Sequence, residues 1–184
     1  MKKLLFLLLA LTLLGGCAKK YPTYKDTEHS LFIERNYLAT DRLLTTLSET
    51  LDPRIPLVVA TLVGIDELTE SSRLGRAVSE QIGARLVMRG FPVVELKVRG
   101  NIFVKRSEGE LLLSREVQDL VRKHEAQAVV VGTYSVARHY IYLNLKMISV
   151  HNNVIIAAHD YVLPITPDIH ALLTTAPVPD RPKG

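Results

Sequence analysis

The segment that decides the fold is Ala128–Leu163, AVVVGTYSVARHYIYLNLKMISVHNNVIIAAHDYVL. It contains three runs rich in β-branched and aromatic residues, which predict strands at Ala128–Val136, Tyr140–Val150 and Val154–Leu163. The short connections require antiparallel pairing, and the Asn-Asn pair at 152–153 tolerates the positive φ of a tight turn. We therefore expect an antiparallel three-strand meander.

The middle strand of the meander alternates between apolar and polar side chains, which predicts one buried face and one open face. The side chains expected in the core are Ile141, Leu143, Leu145 and Met147. The side chains expected on the open face are Tyr140, Tyr142, Asn144 and Lys146. Tyrosine is enriched at protein interfaces, so this face is a candidate partner surface. The alternatives are that helices or the C-terminal tail cover it, or that the tyrosines are ordinary strand residues.

Upstream of the meander, helices alternate with strands. Ser30 is placed to cap a helix that runs to about Glu49, before Asp52-Pro53. The apolar face predicted for this helix is Ile33, Tyr37, Leu44, Leu47 and Leu51. Residues 55–63 are nearly all apolar and predict one strand buried on both faces.

A second helix is expected from Ser71 or Ser72 to just before Gly90, which suits a left-handed C-terminal cap. Its predicted core residues are Leu74, Val78, Ile82 and Leu86. Residues 91–98 predict a strand and residues 102–104 a short one. Ser114 is placed to cap a third helix through about His124, with Val117, Leu120 and Val121 inward.

This order predicts a mixed α/β fold of the α+β class: a mixed sheet, about three helices packed mainly on one face, and the C-terminal antiparallel three-strand meander. The length of 184 residues suits one domain. The expected divisions are a signal peptide at 1–16, a lipidated tether at 17–29, the folded domain at 30–165 and a proline-rich tail at 166–184. Residues 164–184 are expected to be extended and partly disordered.

The N-terminus has the pattern of an export signal. Lys2 and Lys3 precede an apolar run from Leu4 to Leu14, which is shorter than the roughly 20 residues that a spanning helix needs. The run ends in Leu-Gly-Gly-Cys17, small residues before the only cysteine, as in a lipobox. We expect cleavage before Cys17 and lipid on its thiol. The alternative is an ordinary signal peptide that ends by chance in a cysteine.

The expected location is the cell outer membrane, with the domain lipid-anchored at the periplasmic face, because Ala18 replaces the aspartate that retains lipoproteins in the inner membrane. The net charge of +4 and the pI of about 9.2 do not indicate a nucleic-acid partner, since the basic residues form no dense stripe. With one cysteine, the mature domain is expected to lack disulfides.

Nothing in the sequence predicts catalysis, a metal site, a small-molecule substrate or a cofactor other than the covalent lipid. The histidines are dispersed, and solvated or turn positions explain them best: His29, His124, His139, His151, His159 and His170. No GxSxG motif is present. We therefore expect a protein that is not an enzyme.

One constellation indicates a different kind of site. Ser71, Ser72, Arg73 and Arg76 open the second helix, where backbone N–H groups and arginines favour an anion or a partner contact. The segment lacks the glycine-rich loop and lysine of a nucleotide P-loop. The simpler interpretation is that serine caps the helix and Gly75 lets helix and sheet approach closely.

Several segments occur in a characteristic order and spacing: Pro56–Val63, Ser71–Gly75, Leu86–Glu95, Gly109-Glu110, Leu113–Arg115, Val131–Tyr134 and Asn144. In these segments the sequence resembles the FlgO family of outer-membrane lipoproteins. The resemblance covers about residues 35–165 and rests on the order and spacing of these segments. It implies a non-enzymatic envelope protein that supports flagellar assembly and motility.

We therefore expect a structural or assembly factor, bound to the membrane by its lipid, that binds an envelope or flagellar protein. One alternative is a regulatory lipoprotein that binds or activates an enzyme building peptidoglycan. Another is an accessory subunit of a secretion system, although no hairpin with a lipid-facing band is evident in the sequence.

Lipidation can be tested directly. Mass spectrometry of the native protein should find acyl chains on residue 17 as the new N-terminus. An unmodified Cys17, or a mature form that is soluble in the periplasm, would contradict the anchor.

Overall fold

The computed structural model describes residues 30–66, 68, 72–96, 103–105, 111–113 and 115–174. The predictions for Cys17, Ser71 and the Ser114 cap lie outside these residues. In chain order the elements are α1 (Leu31–Thr45), β1 (Leu57–Ala60), β2 (Val63–Gly64), α2 (Arg73–Met88), β3 (Val93–Leu96), β4 (Phe103–Lys105), β5 (Leu111–Leu113), α3 (Arg115–Lys123), β6 (Ala128–Val136), β7 (Tyr140–Ser149), β8 (Ile155–Pro164) and α4 (Pro167–Leu173).

The main sheet is mixed, with the strand order β3-β1-β6-β7-β8, and β2 also pairs with β6. Strand β1 is parallel to both β3 and β6, whereas β6, β7 and β8 are antiparallel neighbours. Strands β4 and β5 form a separate antiparallel pair. The predicted mixed sheet and meander are confirmed, and the meander strands begin and end within one residue of the predicted positions.

The two faces of the sheet are covered unequally. Core residues of α1, α2 and α4 join Leu57, Val59 and the inward side of β7 in the larger apolar cluster. On the other face α3 buries Val117 and Val121 against Val58 and Ala60 in a smaller cluster. The prediction that helices pack mainly on one face is therefore confirmed, and β1 alternates between two buried environments.

The strand predicted at residues 55–63 is wrong as a single element, because it is two strands, β1 and β2, interrupted at Thr61 and Leu62. The Leu62 backbone N–H donates to the Ser79 hydroxyl of α2 at 2.8 Å. That hydroxyl in turn donates to the Gly75 carbonyl at 2.8 Å. A helix side chain has thus taken the hydrogen bond that would continue the ladder. The register with β6 shifts by one residue across the break, as in a β-bulge.

Helix α2 follows the sequence prediction closely. Its N-cap is Ser72, and Leu74, Val78, Ile82 and Leu86 are all fully buried. At the other end Gly90 has a φ of 91°, its N–H donates to the Val87 carbonyl, and the next N–H donates to the Leu86 carbonyl. These bonds form a Schellman motif, which requires a left-handed residue and so explains the glycine.

Helix α1 departs from the prediction in length and in orientation. It ends at Thr45 rather than near Glu49, and the predicted core residues Ile33 and Tyr37 are exposed and half-buried, respectively. The residues that it buries are Asn36, Ala39, Thr40 and Leu43. Two of these four are polar, so apolar periodicity could not indicate them. The predicted residues Leu44, Leu47 and Leu51 do lie in or against the larger core, so the prediction is wrong for Ile33 and in part for Tyr37.

Asn36 can be buried because neighbouring elements satisfy its amide. The Tyr161 hydroxyl of β8 donates to Asn36 Oδ1 at 2.6 Å, and Asn36 Nδ2 donates to the Gln81 side chain of α2. Burial raises the pKa of the Tyr161 phenol, so the hydroxyl stays protonated as a donor. A buried amide without such partners would be costly, and here it joins α1, α2 and β8.

The chain after the meander is not extended as predicted over residues 164–174, because α4 forms there. Thr166 caps it by accepting from the Ile169 N–H at 3.3 Å, and Pro167 occupies the first turn, where a missing N–H costs nothing. Ile169 is buried in the larger core, which explains why a proline-rich segment becomes ordered. Residues 175–184 lie outside the described part of the chain.

Helices α1 and α2 are also joined by charge. The Asp41 carboxylate accepts from Arg85 at 2.6 Å and from Arg89 at 2.7 Å, and the Arg85 guanidinium lies 5.3 Å from the centroid of the Tyr37 ring. Hydrogen bonds from Arg89 and then Arg85 hold the pKa of Asp41 well below its usual value.

Two glycine substitutions within α2 should have opposite effects. An added Cβ at Gly75 would lie 2.0 Å from the Leu62 carbonyl oxygen, so Gly75→Ala should lower the free energy of unfolding by about 1–3 kcal/mol. At Gly83 the atom nearest to an added Cβ is 3.6 Å away, which is an ordinary contact. Gly83→Ala should therefore raise the free energy of unfolding by about 0.5–1 kcal/mol, because alanine favours the helix more than glycine does. Denaturant midpoints measure both; a Gly75→Ala protein as stable as the wild type would contradict the packing of α2 described here.

The pairing of Asp41 with Arg85 and Arg89 should make the free energy of unfolding depend on pH. Because the folded pKa lies below the unfolded one, the contribution is present above about pH 4 and is lost as the pH falls. The stability difference between the wild type and Asp41→Asn should therefore shrink on titration from neutral pH to about pH 3. Asp119→Asn, which removes an exposed pair with Arg122, is the control and should change stability little at either pH. A difference for Asp41→Asn that does not change with pH would count against the interaction.

Candidate functional site

The face of the sheet that carries α3 is covered only in part. Helix α3 lies over β1 and the first half of β6, while the second half of the meander is open on this side. Tyr140 and Tyr142 are 49% and 56% exposed, and Asn144 and Lys146 are half-buried on the same face. The opposite side of β7, Ile141 to Met147, is buried as predicted. The structure therefore places all four predicted residues together on one open surface, which we call the tyrosine face.

The centre of the tyrosine face is concave. A depression of about 520 Å³ is lined by the residue that follows β2 and by residues of β6, β7 and β8. Its lining residues are Ile65, Thr133, Ser135, Tyr142, Leu143, Asn144, Asp160, Tyr161 and Val162. Asn144 Nδ2 donates to Asp160 Oδ1 across the β7–β8 pair, which fixes the amide at the floor of the depression.

The chemistry of this depression suits recognition. Among its lining residues Asp160 is the only carboxylate, and it is engaged by Asn144. The exposed apolar surface comes from Ile65 and Tyr142, with hydroxyl groups of Thr133 and Ser135 beside them. Aromatic and apolar groups among a few orienting polar ones are typical of a surface that binds protein.

Of the nine lining residues, Tyr142 and Asn144 were predicted for the open face, and the other seven were not, among them Ile65, Asp160 and Val162. The Ser149 N–H donates to the Val154 carbonyl, so the hairpin loop spans residues 150–153 and is longer than the tight turn expected at 152–153. The register at this loop would pair Asn144 with His159, but a bulge between Met147 and Ile148 shifts the pairing by one residue, to Asp160. One residue of shift exchanges the two faces of a strand, so the hairpin turn alone could not have identified Asp160. The contribution of Ile65 depends on the fold, since it comes from a distant part of the chain.

The start of α2, the predicted anion contact, is organised around a cap. Ser72 Oγ accepts from the Gly75 N–H at 2.9 Å and from the Tyr134 hydroxyl at 2.7 Å. Arg73 is half-buried and Arg76 is exposed. The simpler interpretation named two features, and the structure has both: Ser72 caps the helix, and the helix approaches the Leu62 backbone closely at Gly75. Binding of an anion by Ser71, Ser72, Arg73 and Arg76 stays a prediction.

Histidines occupy separate positions in the described residues. His159 stacks on Tyr161 with ring centroids 6.3 Å apart, beside the polar contact to Asn36. Across the described ranges, no three His, Cys, Asp or Glu side chains are grouped so that they could hold a metal ion. Within the same ranges, no helix has both the length and the apolar character needed to cross a bilayer.

The fold is similar to that of two solved protein domains. The LpoB C-terminal domain from Escherichia coli gives a TM-score of 0.52 at 14% identity, covering 73% of this chain and 98% of that one. The LpoB C-terminal domain from Salmonella enterica gives 0.51 at 14% identity, with the same coverage of both chains. At this identity the likeness establishes a common fold.

No curated protein sequence matches the chain. The sequence model of the family described as FlgO protein matches residues 37–168, which run from α1 through the meander to the first turn of α4. The match includes the segments that carried the resemblance, together with the whole tyrosine face. The chain therefore belongs to the FlgO protein family.

Proposed function

We propose that this protein is a lipid-anchored component of the outer membrane that acts by binding another envelope protein through its tyrosine face. The observation that carries the proposal is the open surface of β7 and β8, where Tyr140 and Tyr142 are about half exposed beside a depression of about 520 Å³. An exposed aromatic pair around a concave centre is the arrangement that supplies most of the binding energy in protein interfaces.

The anchor is supported by the sequence that precedes the domain. Lys2, Lys3 and the short apolar run end at Gly-Gly-Cys17, and family membership agrees with an envelope lipoprotein. Anchoring converts partner binding into a reaction at a surface, where the effective concentration of both proteins is high. A face of modest area is then sufficient.

The partner that we propose is a component of the flagellum, because the family to which the chain belongs is that of the FlgO protein. In this role the protein is a structural or assembly factor rather than an enzyme. The depression offers no nucleophile paired with a base, which agrees with a binding role.

A second candidate is a regulatory lipoprotein that binds or activates a peptidoglycan-building enzyme. The same face serves this function equally well, because an exposed tyrosine pair does not specify the partner. The likeness to the LpoB domains supports this candidate only at the level of the fold. The two candidates differ in which protein contacts Tyr142.

Loss of the gene in a flagellated host should impair swimming and leave general envelope integrity unchanged. A gene encoding Tyr140→Ala with Tyr142→Ala should fail to restore motility, because truncating a central aromatic residue weakens a protein interface on the order of tenfold or more. Glu80→Ala, an exposed change on α2 over the opposite face, is the control and should restore it. Normal swimming by the deletion strain would rule out the flagellar role.

In vivo cross-linking identifies the partner. A photoreactive residue at position 142 should capture a flagellar component if the first candidate is correct, and a peptidoglycan synthase if the second is. The same residue at position 80 should capture neither. Absence of any specific adduct at position 142, with the protein correctly anchored, would contradict the tyrosine face as the binding surface.

A further inference from the structure

The solvent side of α1 has an unusual composition. Leu31 and Leu38 are 63% and 56% exposed and lie two helical turns apart, so they share one side. Arg35 and Arg42 follow these leucines by four residues each and are exposed on the same side. Exposed leucines alternating with arginines are typical of helices that lie at the surface of a bilayer.

The neighbouring helix also exposes apolar side chains in its last turn. Val87 and Met88, in the last turn of α2, are more than half exposed, and Arg89 follows them. Asp41, Arg85 and Arg89 join α1 to this part of α2. In the described residues of α1 the only exposed acidic side chain is Glu34.

The position of α1 in the chain brings the solvent side of this helix close to a membrane. Only residues 18–30 separate Cys17 from the first residue of α1, and even fully extended they span roughly 45 Å. Lys19, Lys20 and Lys25 lie in that segment with Asp26 and Glu28, so its net charge is +1. Lysines between a lipid anchor and a helix with exposed leucines and arginines favour contact with acidic phospholipid headgroups.

We propose that the outer side of α1, built from Leu31, Arg35, Leu38 and Arg42, rests on the anionic phospholipid surface to which the protein is anchored. This inference rests on the lipidation of Cys17 in the proposed function. The leucines enter the headgroup boundary, and the arginines remain at the level of the phosphates. Each basic residue near an anionic surface raises partitioning on the order of fivefold, and salt weakens the effect.

The contact would also orient the domain. Helix α1 packs on one face of the sheet, whereas the tyrosine face belongs to the other. With α1 against the bilayer, Tyr140 and Tyr142 are directed away from the membrane, where a periplasmic partner can reach them. The domain then has one side for lipid and one for protein.

The chain has no tryptophan, so a single introduced one is a unique reporter. The test uses the full lipidated protein in vesicles of phosphatidylethanolamine and phosphatidylglycerol, with bromine on the acyl chains as a contact quencher. In Leu38→Trp we expect a loss of emission intensity in brominated vesicles and a shift of the maximum to shorter wavelength. Tyr142→Trp is a matched control, because both native side chains are 56% exposed on opposite faces of the sheet, and its emission should be unchanged.

A second variant tests the electrostatic part. Adding Arg35→Glu and Arg42→Glu to Leu38→Trp should abolish the quenching, and raising the salt concentration should reduce it in the parent reporter. Both substitutions are at exposed positions, so folding should survive, and circular dichroism checks this.

The outcomes separate the anchor from the orientation. Failure of the protein to sediment with vesicles would overturn the anchor, and the inference with it. Protein that sediments, with residue 38 unquenched or with residue 142 quenched instead, would overturn the orientation and leave the anchor standing. A wavelength shift at residue 38 without bromine quenching would mean that α1 contacts protein, which would also overturn the proposal.

Discussion

The close approach of α2 to the break between β1 and β2 is the constraint on which the rest of the structure depends. Gly75 leaves no room for a side chain against the Leu62 carbonyl, and Ser79 takes the hydrogen bond of the Leu62 N–H. The register with β6 shifts by one residue across this break. The same segment then delivers Ile65 to the depression on the tyrosine face, so the packing of α2 on one side of the sheet shapes the surface on the other.

Much of this architecture could be predicted from sequence because its signals are local. The alternation of β7, the core face of α2 and the glycine after it depend on periods and caps that a few residues define. The face of α1 could not be predicted in that way, since the residue at its centre is Asn36, whose burial depends on Tyr161, more than a hundred residues further along the chain. Helix α4 was missed for a related reason, because Ile169 becomes ordered only through a core built by distant elements.

The tyrosine face was predictable in part. Alternation on β7 identified Tyr140, Tyr142, Asn144 and Lys146, but the bulge that brings Asp160 opposite Asn144 has no sequence signal of comparable strength. The chain belongs to the FlgO protein family over residues 37–168 and shares its fold with the LpoB domains. These two findings identify the architecture. The identity of the partner depends on the side chains of the open surface, which a shared fold does not determine.

The junction of Asn36, Tyr161 and Gln81 has a mechanical consequence. In the lipid-anchored form that we propose, tension from the membrane reaches α1 before it reaches any strand. Helix α1 is fastened to the body by directional polar bonds and the Asp41 carboxylate, with Ala39 and Leu43 as its fully buried apolar side chains. Hydrogen bonds weaken steeply with stretching and misalignment, so the attachment is stiff under small loads and gives way abruptly under larger ones. The first helix would then be the first element to detach from the sheet under load.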